Sequence, residues 1–506
     1  MRKIFLSILT LNMLWLTACG EEKKDAPGID TGQTVDKTTG CKSPVETGAY
    51  TTFYKPAIGW FGDPIPFSDN GKFYIFDLQD WRSNFPYLHP WHMVSSDDLS
   101  SFRFEGEIIP CGNVDDQDVA LGTGGVIKSR EDGKYYAFYT GHKWNPQPGK
   151  PIQAVLLTTS SDLKNWTKDK SFFLSISGDG YDMNEFRDPH VYFDEESGLY
   201  KMIVSAKRNN QATLALLTSA DLRNWELQEP LYTDASTGMM ECADLFKMGN
   251  YWYLTYSNVR DRKVHYLYSK SQNGPWIAPA HSAFDGIAFY AGKTMSDGTD
   301  RYLVGWCPTR IGDGAEDQWG GSMICHRLVS NPNGSLYATI PEGIDNKFNR
   351  SISLEDIDRS GSVRQSGDLY ILSGKAAVTF PRLKNPGKIT TTVTASSPDD
   401  IFGLTFGACD GGEDVYSIRF DPAAGKLSMY KGNGTDRVKQ TEVELPVPAN
   451  RAFRIKIVTE KSVAVVYVNE QIAFTNRIDR LNQNPWQINS EQGNGISFSN
   501  IEFFEN

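Results

Sequence analysis

Between residues 49 and 340 the chain alternates short apolar and aromatic runs with clusters of Gly, Asn, Asp and Pro. The clearest runs are Lys72-Phe73-Tyr74-Ile75-Phe76, Tyr135-Tyr136-Ala137-Phe138-Tyr139, Tyr200-Lys201-Met202-Ile203-Val204, Tyr251-Trp252-Tyr253-Leu254-Thr255-Tyr256 and Tyr302-Leu303-Val304-Gly305-Trp306. Such runs predict strands, because aromatic and β-branched side chains suit a pleated, half-buried surface. No sustained 3.6-residue apolar period lies between them, so no long helix is predicted there. The runs return at intervals of roughly 50 to 65 residues, and a second element follows the first three. Ser96-Asp97-Asp98-Leu99-Ser100-Ser101-Phe102 recurs as Ser161-Asp162-Leu163-Lys164-Asn165-Trp166 and as Ser219-Ala220-Asp221-Leu222-Arg223-Asn224-Trp225. A weaker copy is Ser271-Gln272-Asn273-Gly274-Pro275-Trp276. Each reads as a strand ending in an Asp-capped turn, with an aromatic side chain returning to the core. Repeats of this length, each built of several short strands, predict a five-bladed β-propeller over residues 49–341. Hairpins of a sandwich are the competing arrangement.

The pattern changes after a polar stretch near residues 341–353. Strict alternation then appears in Lys388-Ile389-Thr390-Thr391-Thr392-Val393, Ile401-Phe402-Gly403-Leu404-Thr405-Phe406, Arg454-Ile455-Lys456-Ile457-Val458 and Val463-Ala464-Val465-Val466-Tyr467-Val468. Alternation with turn punctuation predicts a β-sandwich over residues 350–506. It gathers no reactive side chains, so a structural or accessory role is expected. The fold class is therefore all-β, and two domains suit a chain of 506 residues.

The N-terminus breaks the pattern altogether. Arg2 and Lys3 precede an apolar stretch from Ile4 to Leu16, then Leu16-Thr17-Ala18-Cys19-Gly20. The stretch is too short to span a bilayer and has the shape of a signal peptide. Leu-Thr-Ala-Cys resembles a bacterial lipobox, which implies cleavage before Cys19 and lipid attachment there. Residues 20–48 are polar and read as a flexible tether. Localisation at the cell envelope, anchored to the outer membrane and surface-exposed or periplasmic, is the expectation.

Composition narrows the partners. A formal net charge of −11 without a basic run beyond the first residues argues against nucleic acid, which is bound by neutralising phosphates. The 12 Trp and 23 Tyr suit a β-rich core, and a few suit stacking on sugar rings. Cys41, Cys111, Cys242, Cys307, Cys325 and Cys409 show no metal spacing. His89, His92 and His142 form no ligand pair, so neither metal nor cofactor is expected. Gly122-Thr123-Gly124-Gly125 lacks the Lys-Ser/Thr and helix of a phosphate loop and reads as a tight strand turn.

Three acidic residues stand among aromatic, Gly and Pro neighbours rather than among other charges: Asp63 in Gly59-Trp60-Phe61-Gly62-Asp63-Pro64, Asp188 in Glu185-Phe186-Arg187-Asp188-Pro189, and Glu241 in Met239-Met240-Glu241-Cys242. Each alone is compatible with a turn former or a satisfied core acid. Opening three blades in order, they can converge on a propeller axis. Cys242 beside Glu241 has no nearby His partner, and packing is its expected role.

In this the sequence resembles glycoside hydrolase family 32, the β-fructosidases. The shared segments are Trp60-Phe61-Gly62-Asp63-Pro64, Arg187-Asp188-Pro189 and Glu241-Cys242, with Gly122-Thr123-Gly124-Gly125, Phe289-Tyr290-Ala291, Gly305-Trp306 and Trp319-Gly320-Gly321. The resemblance implies a retaining glycosidase acting on fructans, fructo-oligosaccharides or sucrose. Asp63 would be the nucleophile, Glu241 the acid/base and Asp188 the transition-state stabiliser. Arg187 would hold Asp188 ionised or donate to a sugar hydroxyl. Trp60, Gln79, Trp81, Thr123 and Tyr290 would help to line the substrate pocket. Departures are Gly62 in place of the family's Asn, Ile65-Pro66 in place of Asn-Gly, and Ala288 where an acid often precedes Phe-Tyr-Ala. Two alternatives stay open: a five-bladed hydrolase of another sugar such as arabinan, and a non-catalytic glycan-binding lipoprotein.

Overall fold

Strands this short bury their apolar faces only by stacking sheet on sheet, and the meanders do so around a common axis. The computed structural model describes residues 49–506 apart from 81–88, 311–316, 384–385, 408–414, 433–435, 480 and 483. The lipobox, Cys19, the tether, Cys41, Trp81 and Cys409 therefore lie outside the described residues. Five antiparallel sheets form the blades, each a meander running outward from its first strand. Those first strands are Ile65–Asp69, Ala120–Lys128, Tyr181–Asp194, Met240–Met248 and Tyr290–Ser296. Each touches the next, and the last touches the first, so the ring closes. The aromatic runs predicted from the sequence lie in the second strands, Lys72–Leu78, Tyr135–His142, Leu199–Arg208, Tyr251–Asn258 and Arg301–Thr309.

Closure is made by residues before the first blade. Phe61 and Gly321 exchange backbone hydrogen bonds (3.1 and 2.7 Å), and Met323 N–H donates to the Tyr54 carbonyl at 2.7 Å. The opening segment thus extends the fifth blade, a pairing that fixes how the ring ends meet.

The recurring turns have one shape. Leu99, Leu163 and Leu222 all adopt positive φ (60°, 66° and 64°) and are buried, while the preceding Asp accepts backbone N–H bonds from the turn. The Asp bonds offset part of the cost of a left-handed Leu. The serine that caps the turn is Ser160 in the second copy, one residue before the sequence register, because its Oγ accepts from Asp162 N–H. Ser269 plays that part in the fourth copy, with buried Gln272 at the Leu position.

Beyond the helix Glu342–Lys347, thirteen strands from Arg350–Ile352 to Asn494–Glu505 form a single hydrogen-bonded sheet. It folds onto itself as a nearly closed sandwich around Phe380, Phe402, Phe420, Phe453, Trp486 and Phe498. Buried polar groups join it to the propeller. The Glu460 carboxylate accepts the backbone N–H groups of Thr51, Thr52 and Phe53 (2.6, 2.8 and 2.9 Å). Arg477 donates to the carbonyls of Cys307 and Pro308.

Candidate active site

Four of the five inner strands carry the same defect. Opposite Thr140, Val204, Tyr256 and Gly305 the second strand supplies one residue where the inner strand supplies two: Gly122-Thr123, Asp188-Pro189, Cys242-Ala243 and Ala291-Gly292. A bulge of this kind bends a strand and re-aims its side chains. Asp188, Cys242 and Ala291 sit at positive φ there (58°, 52° and 54°), and Asp63, just ahead of the first inner strand, is at 36°. Non-glycine residues hold such conformations at a cost of about 1–3 kcal/mol each. The strain gathers on one ring of positions facing the axis.

Asp63, Asp188 and Cys242 of that ring line a cavity of about 310 Å³, at the small end of the roughly 300–1,000 Å³ usual for ligand pockets. Asp63, Asp188 and Glu241 lie together in it with Thr123, Arg187 and Tyr290, all six expected from the sequence. Trp60 and Gln79 are not among its lining residues. Gln79 instead donates from its buried amide to the Ile58 carbonyl at 2.7 Å, bracing the segment that leads to Asp63. His89, Thr140, His142, Trp144, Gln153 and Trp319 also line the pocket and were given no sugar role from sequence.

The three carboxylates have different partners. Asp63 accepts from Trp306 Nε1 at 2.9 Å and from Thr123 Oγ1 at 3.2 Å. Desolvation, with repulsion from Asp188 and Glu241 beside it, pushes its carboxyl up to about 7 against the pull of those two donors. Asp188 receives the Cys242 backbone N–H on Oδ2 at 3.0 Å, and its own N–H donates to Thr140 Oγ1 at 2.9 Å. Burial raises its carboxyl too; the Arg187 charge opposes that and Glu241 adds to it. Glu241 is the most heavily clamped: Arg187 donates to Oε1 from Nη2 at 2.9 Å, and Tyr290 OH donates to Oε2 at 2.8 Å. Arg187 also bonds Glu185 and the Gln153 carbonyl oxygen. Its hydrogen bonds thus go to Glu241, Glu185 and Gln153, while its charge lowers the carboxyl of its neighbour Asp188. Burial drives the Cys242 thiol well above its usual range, which leaves it an inert packing group.

Trp319 explains the room left by Gly62. A Cβ on Gly62 would fall 2.4 Å from Trp319 Cη2, so the indole fills the space a side chain would need. Trp319 in turn stacks on His89, with ring centroids 4.5 Å apart and planes 10° from parallel. Among the described residues no group of His, Cys, Asp and Glu is arranged to hold a metal ion.

Residues 53–339 match the N-terminal domain of glycosyl hydrolases family 32, and residues 334–503 match the C-terminal domain described as GH32, BT1760-like. Sucrose-6-phosphate hydrolase of Escherichia coli is 25% identical over 455 residues, 83% of this chain and 87% of that protein. An insoluble β-fructofuranosidase isoenzyme of Daucus carota is 25% identical over 319 residues; the match spans 56% of this chain and about half, 53%, of the carrot protein. Among solved structures, exo-inulinase from Aspergillus awamori superposes with a TM-score of 0.71 at 16% identity, covering 91% of this chain and 98% of its own. Fructan 1-exohydrolase IIa from Cichorium intybus gives 0.70 at 15%, covering 92% and 98%. At such identities the superpositions speak for the fold.

Proposed function

The chain belongs to glycosyl hydrolases family 32, and from that premise we propose that it is a retaining β-fructosidase with Asp63 as nucleophile, Glu241 as acid/base and Asp188 as stabiliser. Asp63 attacks the anomeric carbon of a fructofuranosyl unit while Glu241 passes a proton to the departing oxygen. Water then enters, Glu241 takes its proton, and the ester to Asp63 breaks. The observation that carries this reading is the unequal clothing of two carboxylates in one pocket. Asp63 is held by two neutral donors, which orient its oxygens and favour the ionised, nucleophilic form against the burial that raises it. Glu241 is held by Arg187 on one oxygen and Tyr290 on the other, which fixes where its carboxyl points.

Electrostatics supports the same assignment. Burial, with repulsion among the acids around one cavity, raises Asp63 and Asp188. The oxocarbenium-like transition state brings positive charge into their midst, so an arrangement unfavourable in the free enzyme becomes favourable as the bond breaks. Asp188 Oδ2 is tied to the Cys242 N–H, and among the described residues no donor reaches Oδ1, which suits it to accept sugar hydroxyls.

Incubation with levan, inulin, sucrose and arabinan, with proton NMR of the first product, tests the reading. Fructose or fructo-oligosaccharides released with retained configuration are expected. Arabinose as sole product would point to the arabinan alternative, and binding without turnover to a glycan-binding protein. We also propose that Cys19 carries the lipid anchor, on the strength of the Leu-Thr-Ala-Cys segment. Cys19→Ala should move the protein from the membrane fraction to the soluble one.

A further inference from the structure

From Glu241 a line of side chains runs through Arg187 and Gln153 to His142 and ends in an unused hydrogen-bond donor. Arg187 clamps Glu241 and donates from Nη1 to Gln153 Oε1 at 3.2 Å. A guanidinium has only donors, so the Gln153 oxygen must face it and the amide nitrogen must face the other way. That nitrogen lies 3.5 Å from His142 Nδ1. Nδ1 is then the acceptor of the imidazole, and the ring hydrogen sits on Nε2. His142 lines the pocket, and its Nε2 is buried with no partner among the described residues. Burial and the nearby Arg187 charge hold His142 below its ordinary pKa, which favours the neutral ring. A buried N–H left unpaired is destabilising, and a ligand oxygen would relieve it. Against the His142 ring lies Trp144, centroids 4.8 Å apart, 39% exposed and also in the pocket lining.

We propose that His142 and Trp144 form the leaving-group subsite, His142 Nε2–H donating to an oxygen of the departing sugar while Trp144 offers its ring a face. The proposal rests on the β-fructosidase reading, since it is Glu241 as acid that places the leaving group. The departing oxygen must lie within hydrogen-bond reach of Glu241, and His142, at the end of the line that runs from Glu241 through Arg187 and Gln153, lines the same cavity. The ligand class is a neutral sugar unit, fructosyl or glucosyl. Its oxygens match one N–H donor and its apolar face matches one indole.

The test separates contact with the leaving sugar from action through Glu241. Sucrose and a fructo-trisaccharide carry a sugar leaving group. Methyl β-D-fructofuranoside needs the same protonation, but its methyl group offers no hydroxyl to reach His142. For His142→Phe, kcat/KM on sucrose and the trisaccharide should fall about tenfold, the worth of one hydrogen bond, with methyl fructoside turned over at the wild-type rate. His142→Gln, which keeps an N–H donor, should recover most of the loss. An equal loss on all three substrates would overturn the subsite and make His142 a support for Arg187 and Glu241. No loss on any would overturn it too. A wild-type enzyme inactive on every fructoside would instead bring down the β-fructosidase reading itself.

Discussion

Asp285, where the propeller meets the sandwich, and Asp63, at the propeller axis, are carboxylates enclosed by the same fold under opposite terms. Asp285 is 1% exposed and fully matched: Oδ1 accepts the Thr475 N–H at 2.8 Å, and Oδ2 accepts Thr475 Oγ1 at 2.6 Å and His326 Nε2 at 3.1 Å. His326 passes the network on to Tyr467 OH. Asp63 has two donors, but two further carboxylates share its cavity. A buried polar group whose every partner is present fixes two domains in one orientation. A buried acid whose neighbours are also acids leaves the free protein less stable and waits for a ligand to relieve it. The first kind of site is built for stability and the second for chemistry.

The largest effect should come from breaking the second kind. Asp63→Asn is expected to cut turnover by about 10⁴-fold or more, since no ester can form on the amide. Its thermal midpoint should equal or exceed that of wild type, because one source of repulsion is gone. Calorimetry beside a rate assay checks both halves; a marked fall in midpoint would show that Asp63 is structural.

Asp285→Ala should behave the opposite way. Thr475 and His326 would lose their acceptor in a dry interface, at a cost of about 3 kcal/mol. The folded fraction should keep nearly its full kcat, measured well below the midpoint. If kcat collapsed while the midpoint held, the distinction between the two clusters would fail.

Much of the site was legible in the sequence because it is local. Asp63 sits at a left-handed turn, Asp188 in a bulge and Glu241 directly before one, and such backbones leave Asp-Pro, Arg-Asp-Pro and Glu-Cys as short signatures. Partners brought in by ring closure leave none. Trp306 reaches Asp63 across 243 residues, and Arg187 reaches Glu241 across 54 in addition to the charge it lends its neighbour Asp188. Trp60 and Gln79, expected in the pocket from the resemblance, do not line the cavity; the Gln79 amide instead donates to the Ile58 carbonyl on the segment that leads to Asp63. His142 and Gln153 carried no motif at all. The blades were legible because their strands repeat, and Asp285 was not because its partners belong to the other domain.

The pH dependence sharpens the contrast. The folded Asp63 carboxyl is raised to about 7 from 3.8, so it prefers its proton in the native state. Its contribution to stability is therefore present below pH 3.8 and is lost as pH rises through about 7. Because the three acids titrate as a unit, the comparison to make is wild type against Asp63→Asn. Between pH 5 and 8 the wild-type midpoint should fall relative to the variant by ~2 °C. A difference that stays flat would mean the carboxyls do not strain the free pocket.

The smallest effect concerns the wall rather than the floor of the pocket. Gly62 faces Trp319 so closely that an added Cβ would lie 2.4 Å from Cη2, and Trp319 is itself stacked on His89. Gly62→Ala should therefore push the indole out of place and lower kcat/KM. Trp319→Phe removes the atoms in conflict, so it should lose part of the wall but spare the room a Cβ needs. In the double variant the Gly62→Ala penalty should shrink, giving a favourable coupling of about 1 kcal/mol in the cycle. Additive losses would show that Trp319 moves aside freely. In that case the close fit of the wall would not be what excludes a side chain at position 62, and the apolar side of the pocket would be as adjustable as its acidic floor is strained.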